Sequence, residues 1–282
     1  MIEPVSRWVD VGLKLHVREW AGEGQPFVLL HGLASNSLTW LGVGSLLAQA
    51  GHHVIAVDQR GHGLSDKPDS GYDFDTVTDD LRRLIEALGL QRPIVAGQSW
   101  GGNVVLAFGA RHAGVARGLA FVDGGFLHLR SRFTDWETTA QQLRPPPLTG
   151  TPRATLKSWI AQGHPDWEEW GAEATLGNFE TLADGTIRPY LTLERHLLIL
   201  RSLWEQNPVP LFPQVREGVL VCVALNNPER DAHFIPQVEA AERGLARCHV
   251  EWFRNTDHDI HVQRPAALTA LFQTMLTEGV WA

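Results

Sequence analysis

Apolar and polar residues alternate over Val5 to Val9 and again over Leu13 to Trp20, the two-residue period of strands with one solvated face. Asp10 to Gly12 supplies the turn of an edge hairpin. Beyond Trp20 the pattern changes. Short unbroken apolar runs appear at Phe27 to Leu30, Val54 to Val57, Ile94 to Ala96, Gly118 to Val122 and Val219 to Ala224, with a mixed run at Val250 to Phe253. Such runs suit parallel strands covered on both faces. Between them, apolar residues recur at helical spacing over Leu38 to Ala50, Phe74 to Leu88, Gly101 to His112 and Ala266 to Leu276. Strand alternating with helix predicts an α/β fold with a doubly wound, mostly parallel sheet.

The alternation stops after Val122 and resumes at Val219, a gap too long for a simple connection. We expect residues 126–213 to form an inserted helical cap, with residues 1–125 and 214–282 making one core domain. Inside the insert, Arg153 to Gln162 and Leu191 to Trp204 carry helical spacing, and RPPPLTGTP (Arg144 to Pro152) breaks it. Trp136, Trp159, Trp167, Trp170 and Trp204 concentrate there. They suggest an aromatic or otherwise hydrophobic substrate, although tryptophans at such density also serve as plain core.

Composition narrows the function more than the fold. The chain has 282 residues, 44% hydrophobic and 20% charged, enough for one large core with an insertion. Its formal net charge of −8, without clustered Lys and Arg, argues against nucleic acid. Cys222 and Cys248 lie in apolar strand-like runs and read as small buried hydrophobes. The opening MIEPVSRWVDVGLKL lacks the basic head and apolar run of a signal peptide, and no apolar stretch is long enough to span a bilayer. A cytoplasmic location is therefore expected.

Candidate chemistry centres on VAGQSWGGN, Val95 to Asn103, which sets Ser99 between small residues where a buried strand gives way to a helix. Gly97 and Gly101 would let a strained turn lift the hydroxyl into the open, while the following helix aims its first amides at the same place. Trp100 would supply one oxyanion donor. LLHGLAS, Leu29 to Ser35, ends another buried strand and offers the Leu33 amide as the second, leaving the His31 ring to brace the loop.

With VLLHGLASNSLTW, DQRGHGLSDKP, GQSWGG and DHDIHVQRP in this order, the chain resembles the α/β-hydrolase fold family in its capped serine esterase-like branch. The resemblance covers both flanks of the chain, and the insert matches by position only. It implies a nucleophile at Ser99, oxyanion amides at Leu33 and Trp100, and a structural role for the loop bearing His62 and Ser65. It also implies a histidine just before the last helix, and His258 stands there. His261 is the near rival, expected as a wall or structural residue. Asp257, His258, Asp259 and His261 lack the spacing of a metal site, and no metal or cofactor is implied.

The acid departs from the family pattern. Similar proteins place a carboxylate where this chain has Asn227, and an amide cannot balance the charge of an imidazolium; in a serine-protease triad the Asp-to-Asn change costs about 10⁴-fold in kcat. Some members carry the acid one strand earlier, where this chain has Asp123 in GLAFVDGG. Glu229 and Asp231 remain alternative acids. The expected activity is hydrolysis of a small-molecule carboxylic ester through an acyl-enzyme. Ser99 disfavours dehalogenase and epoxide-hydrolase chemistry, which need a carboxylate nucleophile. A carbon-carbon bond hydrolase, an aminopeptidase or a non-catalytic ligand-binding relative stay open.

Overall fold

The computed structural model describes residues 1–282 and opens with the hairpin of β1 (Val5–Asp10) and β2 (Lys14–Trp20). β3 (Gly24–Leu30) leads to a 3₁₀ turn at Ser37–Trp40 and then α1 (Leu41–Gln49). The helix expected from Leu38 starts as this tighter turn because the Asn36 side chain accepts the Leu38 N–H at 2.8 Å. Next come β4 (His52–Val57), α2 (Phe74–Ala87), β5 (Ile94–Gln98), α3 (Trp100–Arg111) and β6 (Gly118–Val122). Between β6 and the next sheet strand the chain forms α4 (Trp136–Gln142), α5 (Arg153–Gly163), α6 (Glu169–Leu176), a small ribbon of β7 (Phe179–Thr181) and β8 (Ile187–Pro189), and α7 (Leu193–Glu205). The chain closes with β9 (Gly218–Leu225), α8 (Pro228–Gly244), β10 (Cys248–Arg254), α9 (Ile260–Gln263) and α10 (Pro265–Thr277).

Eight strands form one sheet in the order β1-β2-β4-β3-β5-β6-β9-β10. The hairpin and its junction with β4 are antiparallel, and every later pairing is parallel. Alternation along the central strands divides the core between two faces. Val28, Leu30, Val95, Val219 and Val221 pack toward one layer with α2 and α3, whereas Phe27, Leu29, Ile94, Leu220 and Phe272 pack in the other with α1 and α10. This is the α/β architecture expected from the unbroken apolar runs, with the edge hairpin where alternation placed it.

The sequence pattern did not anticipate α8. Pro236 sits inside it and few of its residues are buried, so it carries no clear apolar stripe. Its start is nonetheless written in the chain: Asn227 caps it and Pro228 takes the first turn. No helix is long and apolar enough to cross a membrane. The parallel strands end at one edge of the sheet, so the turns after β3, β5, β6, β9 and β10 gather Leu33, Ser99, Asp123, Asn227 and His258.

Candidate active site

Ser99 turns from β5 into α3 with φ 54° and ψ −122°, a conformation costly for any residue with a Cβ. Close packing requires its small neighbours. A Cβ on Gly97 would strike the Gly101 carbonyl, and one on Gly101 would press on the carbonyls of Leu30 and His31. The turn is held from the sheet side, where the Ser99 N–H donates to the Val122 carbonyl at 3.0 Å. Because α3 begins at Trp100, that residue's N–H has no intrahelical acceptor and lies beside the serine.

The loop after β3 is braced by two imidazoles. The Gln59 N–H donates to His31 Nε2 at 3.1 Å, and the Ala34 N–H donates to His62 Nε2 at 3.2 Å. Ala34 itself sits at φ 58°, shaping the bend next to Leu33. Burial holds both rings below the usual histidine pKa, so they brace as neutral groups. Ser65 belongs to the same scaffold, accepting the His16 N–H at 2.7 Å.

Asp123 ends β6 at φ 48° and is fully buried. Its Oδ1 accepts the Ala224 N–H at 3.0 Å, and its Oδ2 accepts from His258 Nδ1 at 2.5 Å and from Arg230 Nη2. Three donors on a buried carboxylate offset its desolvation. A carboxylate can only accept, so His258 carries its proton on Nδ1 and keeps a lone pair on Nε2. Burial pulls the His258 pKa down, yet the hydrogen bond and charge of Asp123, with Asp259 adding to them, leave it above the ordinary value.

The alternative acids stand elsewhere. Asn227 spends its side-chain oxygen on the Glu229 and Arg230 amides, both at 3.1 Å, as the cap of α8. Glu229 is exposed and Asp231 lies 3.7 Å from Arg230. Neither bonds His258. His261 is wholly buried against Trp40, with no hydrogen-bond partner on either nitrogen, and burial pushes its pKa down to about 3. Arg230 was not foreseen. The Asn-Pro start of α8 was the signal that would have placed it on a first helical turn, while its contact with Asp123 appears only in the folded chain.

Ser99 and His258 line one cavity of about 680 Å³, together with Leu33 and Trp100. No direct hydrogen bond joins the two side chains, and a nucleophile and its base can tighten their contact in the substrate complex. Leu127, Phe133, Leu143, Leu200 and Leu203, all from the stretch between β6 and β9, line the same cavity. None of Trp136, Trp159, Trp167, Trp170 and Trp204 lines this cavity, so of the two roles open to them the substrate-facing one finds no support here. Trp204 packs on Trp136 with ring centroids 6.0 Å apart and donates to the Phe133 carbonyl at 2.9 Å, so it serves the interior of the insert.

Residues 25–157 match a family model described as the alpha/beta hydrolase fold. Among curated relatives, the AB hydrolase superfamily protein YisY of Bacillus subtilis (strain 168) is 41% identical over 93 residues, 33% of this chain and 35% of that protein. The 2-(acetamidomethylene)succinate hydrolase of Mesorhizobium japonicum is 38% identical over 120 residues, 42% of either chain. The matched segments thus span well under half of these relatives. A crystal structure of E-2-(acetamidomethylene)succinate hydrolase superposes with a TM-score of 0.80 at 23% identity, covering 96% of this chain and 98% of the other.

Proposed function

We propose that the chain is a serine hydrolase of the α/β-hydrolase family, cleaving carboxylic esters through an acyl-enzyme, a reading supported by the family model over residues 25–157 and by the shared fold. In this reading Ser99 Oγ attacks the acyl carbon while His258 Nε2 takes its proton. The carbonyl oxygen, now carrying the electron pair, is met by the Leu33 and Trp100 amides. Collapse of the tetrahedral adduct expels the alcohol, protonated by His258. A water activated by the same nitrogen then releases the acid and restores Ser99. Asp123 orients the imidazole throughout and balances its positive charge.

The observation that carries this reading is the short Asp123 to His258 hydrogen bond, on a ring that shares its cavity with a strained serine. Turnover of 4-nitrophenyl acetate and hexanoate by the native protein, Ser99→Ala and Asp123→Asn tests it. We expect Ser99→Ala to lose activity to background and Asp123→Asn to fall by about 10³- to 10⁴-fold in kcat. Ester turnover that survives Ser99→Ala would refute the proposal. A second reading, hydrolysis of a substrate other than an ester, draws support from the relative named for 2-(acetamidomethylene)succinate.

A further inference from the structure

The chain as a whole is acidic, at −8, yet the wall of the Ser99 cavity carries Arg132, Arg230, His128 and His233 against Glu229 as its acidic member. Arg230 is occupied by Asp123. Arg132 is not: it forms no salt bridge, and its guanidinium lies over the Phe133 ring at 5.1 Å. Close by, a hydrogen-bond chain fixes the state of His233. The backbone N–H of His128 donates to Gln237 Oε1 at 2.9 Å, which settles the orientation of that amide. Gln237 Nε2 must then donate to His233 Nε2, also at 2.9 Å. That nitrogen is an acceptor, so the His233 proton resides on Nδ1, which has no protein acceptor. Burial and the charge of Arg132 hold His233 below its usual pKa, so it stays a neutral donor.

Resting on the serine-hydrolase reading, we propose that the substrate ends in a carboxylate, bound by the Arg132 guanidinium and the His233 Nδ1–H in the cavity that Ser99 also lines. A planar guanidinium matches a carboxylate in two parallel hydrogen bonds, and a neutral imidazole N–H adds a third without a counter-charge of its own. The leucine and phenylalanine side chains of the insert then cover an aliphatic stem between that group and the scissile bond.

The test compares mono-4-nitrophenyl adipate with its methyl ester, which removes the charge and adds one methyl group. We expect kcat/KM to favour the free acid by about 10- to 100-fold, mostly through KM, and the preference to weaken as salt rises. The ratio should collapse toward one in Arg132→Gln, recover in part in Arg132→Lys, drop in His233→Leu, and persist in the remote Arg243→Gln. Equal use of the two esters, or a ratio unmoved by Arg132→Gln, would overturn the inference while leaving the hydrolase reading intact. Calorimetry of monomethyl adipate binding to Ser99→Ala, with and without Arg132→Gln, decides the carboxylate site independently of turnover. Binding that Arg132→Gln abolishes supports it even if the native enzyme cleaves neither ester, and binding indifferent to Arg132 refutes it.

Discussion

At the scale of single residues, the site rests on how His258 is held. In the proposed mechanism its base form is the reactive one, so activity should rise with pH as the ring loses its proton. The groups that set this titration are Asp123, Asp259 and Arg230, with the buried His261 behind the ring. Since the net effect raises the His258 pKa, the acid limb of kcat/KM should have its midpoint above 6.5. Asp123→Asn removes the largest favourable contribution, so the midpoint should move down in pH while the plateau falls. Arg230→Gln should move it up, because that guanidinium disfavours the imidazolium. A pH profile for each variant checks both directions, and a midpoint unmoved by either substitution would contradict the geometry.

At the scale of elements, the turn after β9 explains the missing family acid. Asn227 is committed to the first amides of α8, a cap whose loss on Asn227→Ala should cost about 1 kcal/mol of stability by urea unfolding. That commitment predicts a double-mutant result. Asn227→Asp keeps the cap, but its carboxylate stays with the α8 amides, so it should not rescue Asp123→Asn turnover. Recovery of activity in Asp123→Asn/Asn227→Asp would show that the second position still reaches His258. The strands around this site were legible because their both-faces burial leaves unbroken apolar runs, as in Val219 to Ala224. α8 was not, because an exposed helix with Pro236 inside shows neither stripe nor clean boundary. For the same reason Arg230 escaped notice, since its role exists only once that helix is placed.

At the scale of the whole molecule, several imidazoles are locked neutral in the interior, and stability should therefore depend on acid. His31, His62 and His261 all have folded pKa values below the ordinary 6.5, with burial as the leading cause. The unfolded chain binds protons that these folded groups refuse. Stability contributed by such groups is intact above pH 6.5 and lost as pH falls below it, down to about 3 for His261. Each wholly buried ring should contribute up to about 1.4 kcal/mol per pH unit in that window. His258 acts in the opposite sense, favouring the fold below 6.5 and losing that contribution as pH rises through its raised pKa, but at 44% side-chain exposure it is screened. Urea midpoints measured at pH 7 and pH 5 should show the loss, and His261→Leu should reduce it. Equal midpoints at the two pH values would mean these rings find protons in the folded state.

Much of this architecture was readable from runs and spacing alone, including the sheet, the edge hairpin and the serine turn. The cavity lining was not. Which residues between β6 and β9 line the cavity with Ser99 depends on how α4 and α7 pack: Trp136 and Trp204 pack on each other, Trp159 is exposed, and leucines line the cavity. Residue type could not distinguish these outcomes because both bury apolar surface equally well.

Whether Ser99 is an activated nucleophile is tested most directly by intact-mass analysis after treatment with a fluorophosphonate, followed by peptide mapping. The expected result is one adduct per chain, on the peptide carrying Ser99, absent in Ser99→Ala and formed far more slowly in Asp123→Asn. A protein that takes no adduct, or takes it undiminished in Ser99→Ala, would contradict it.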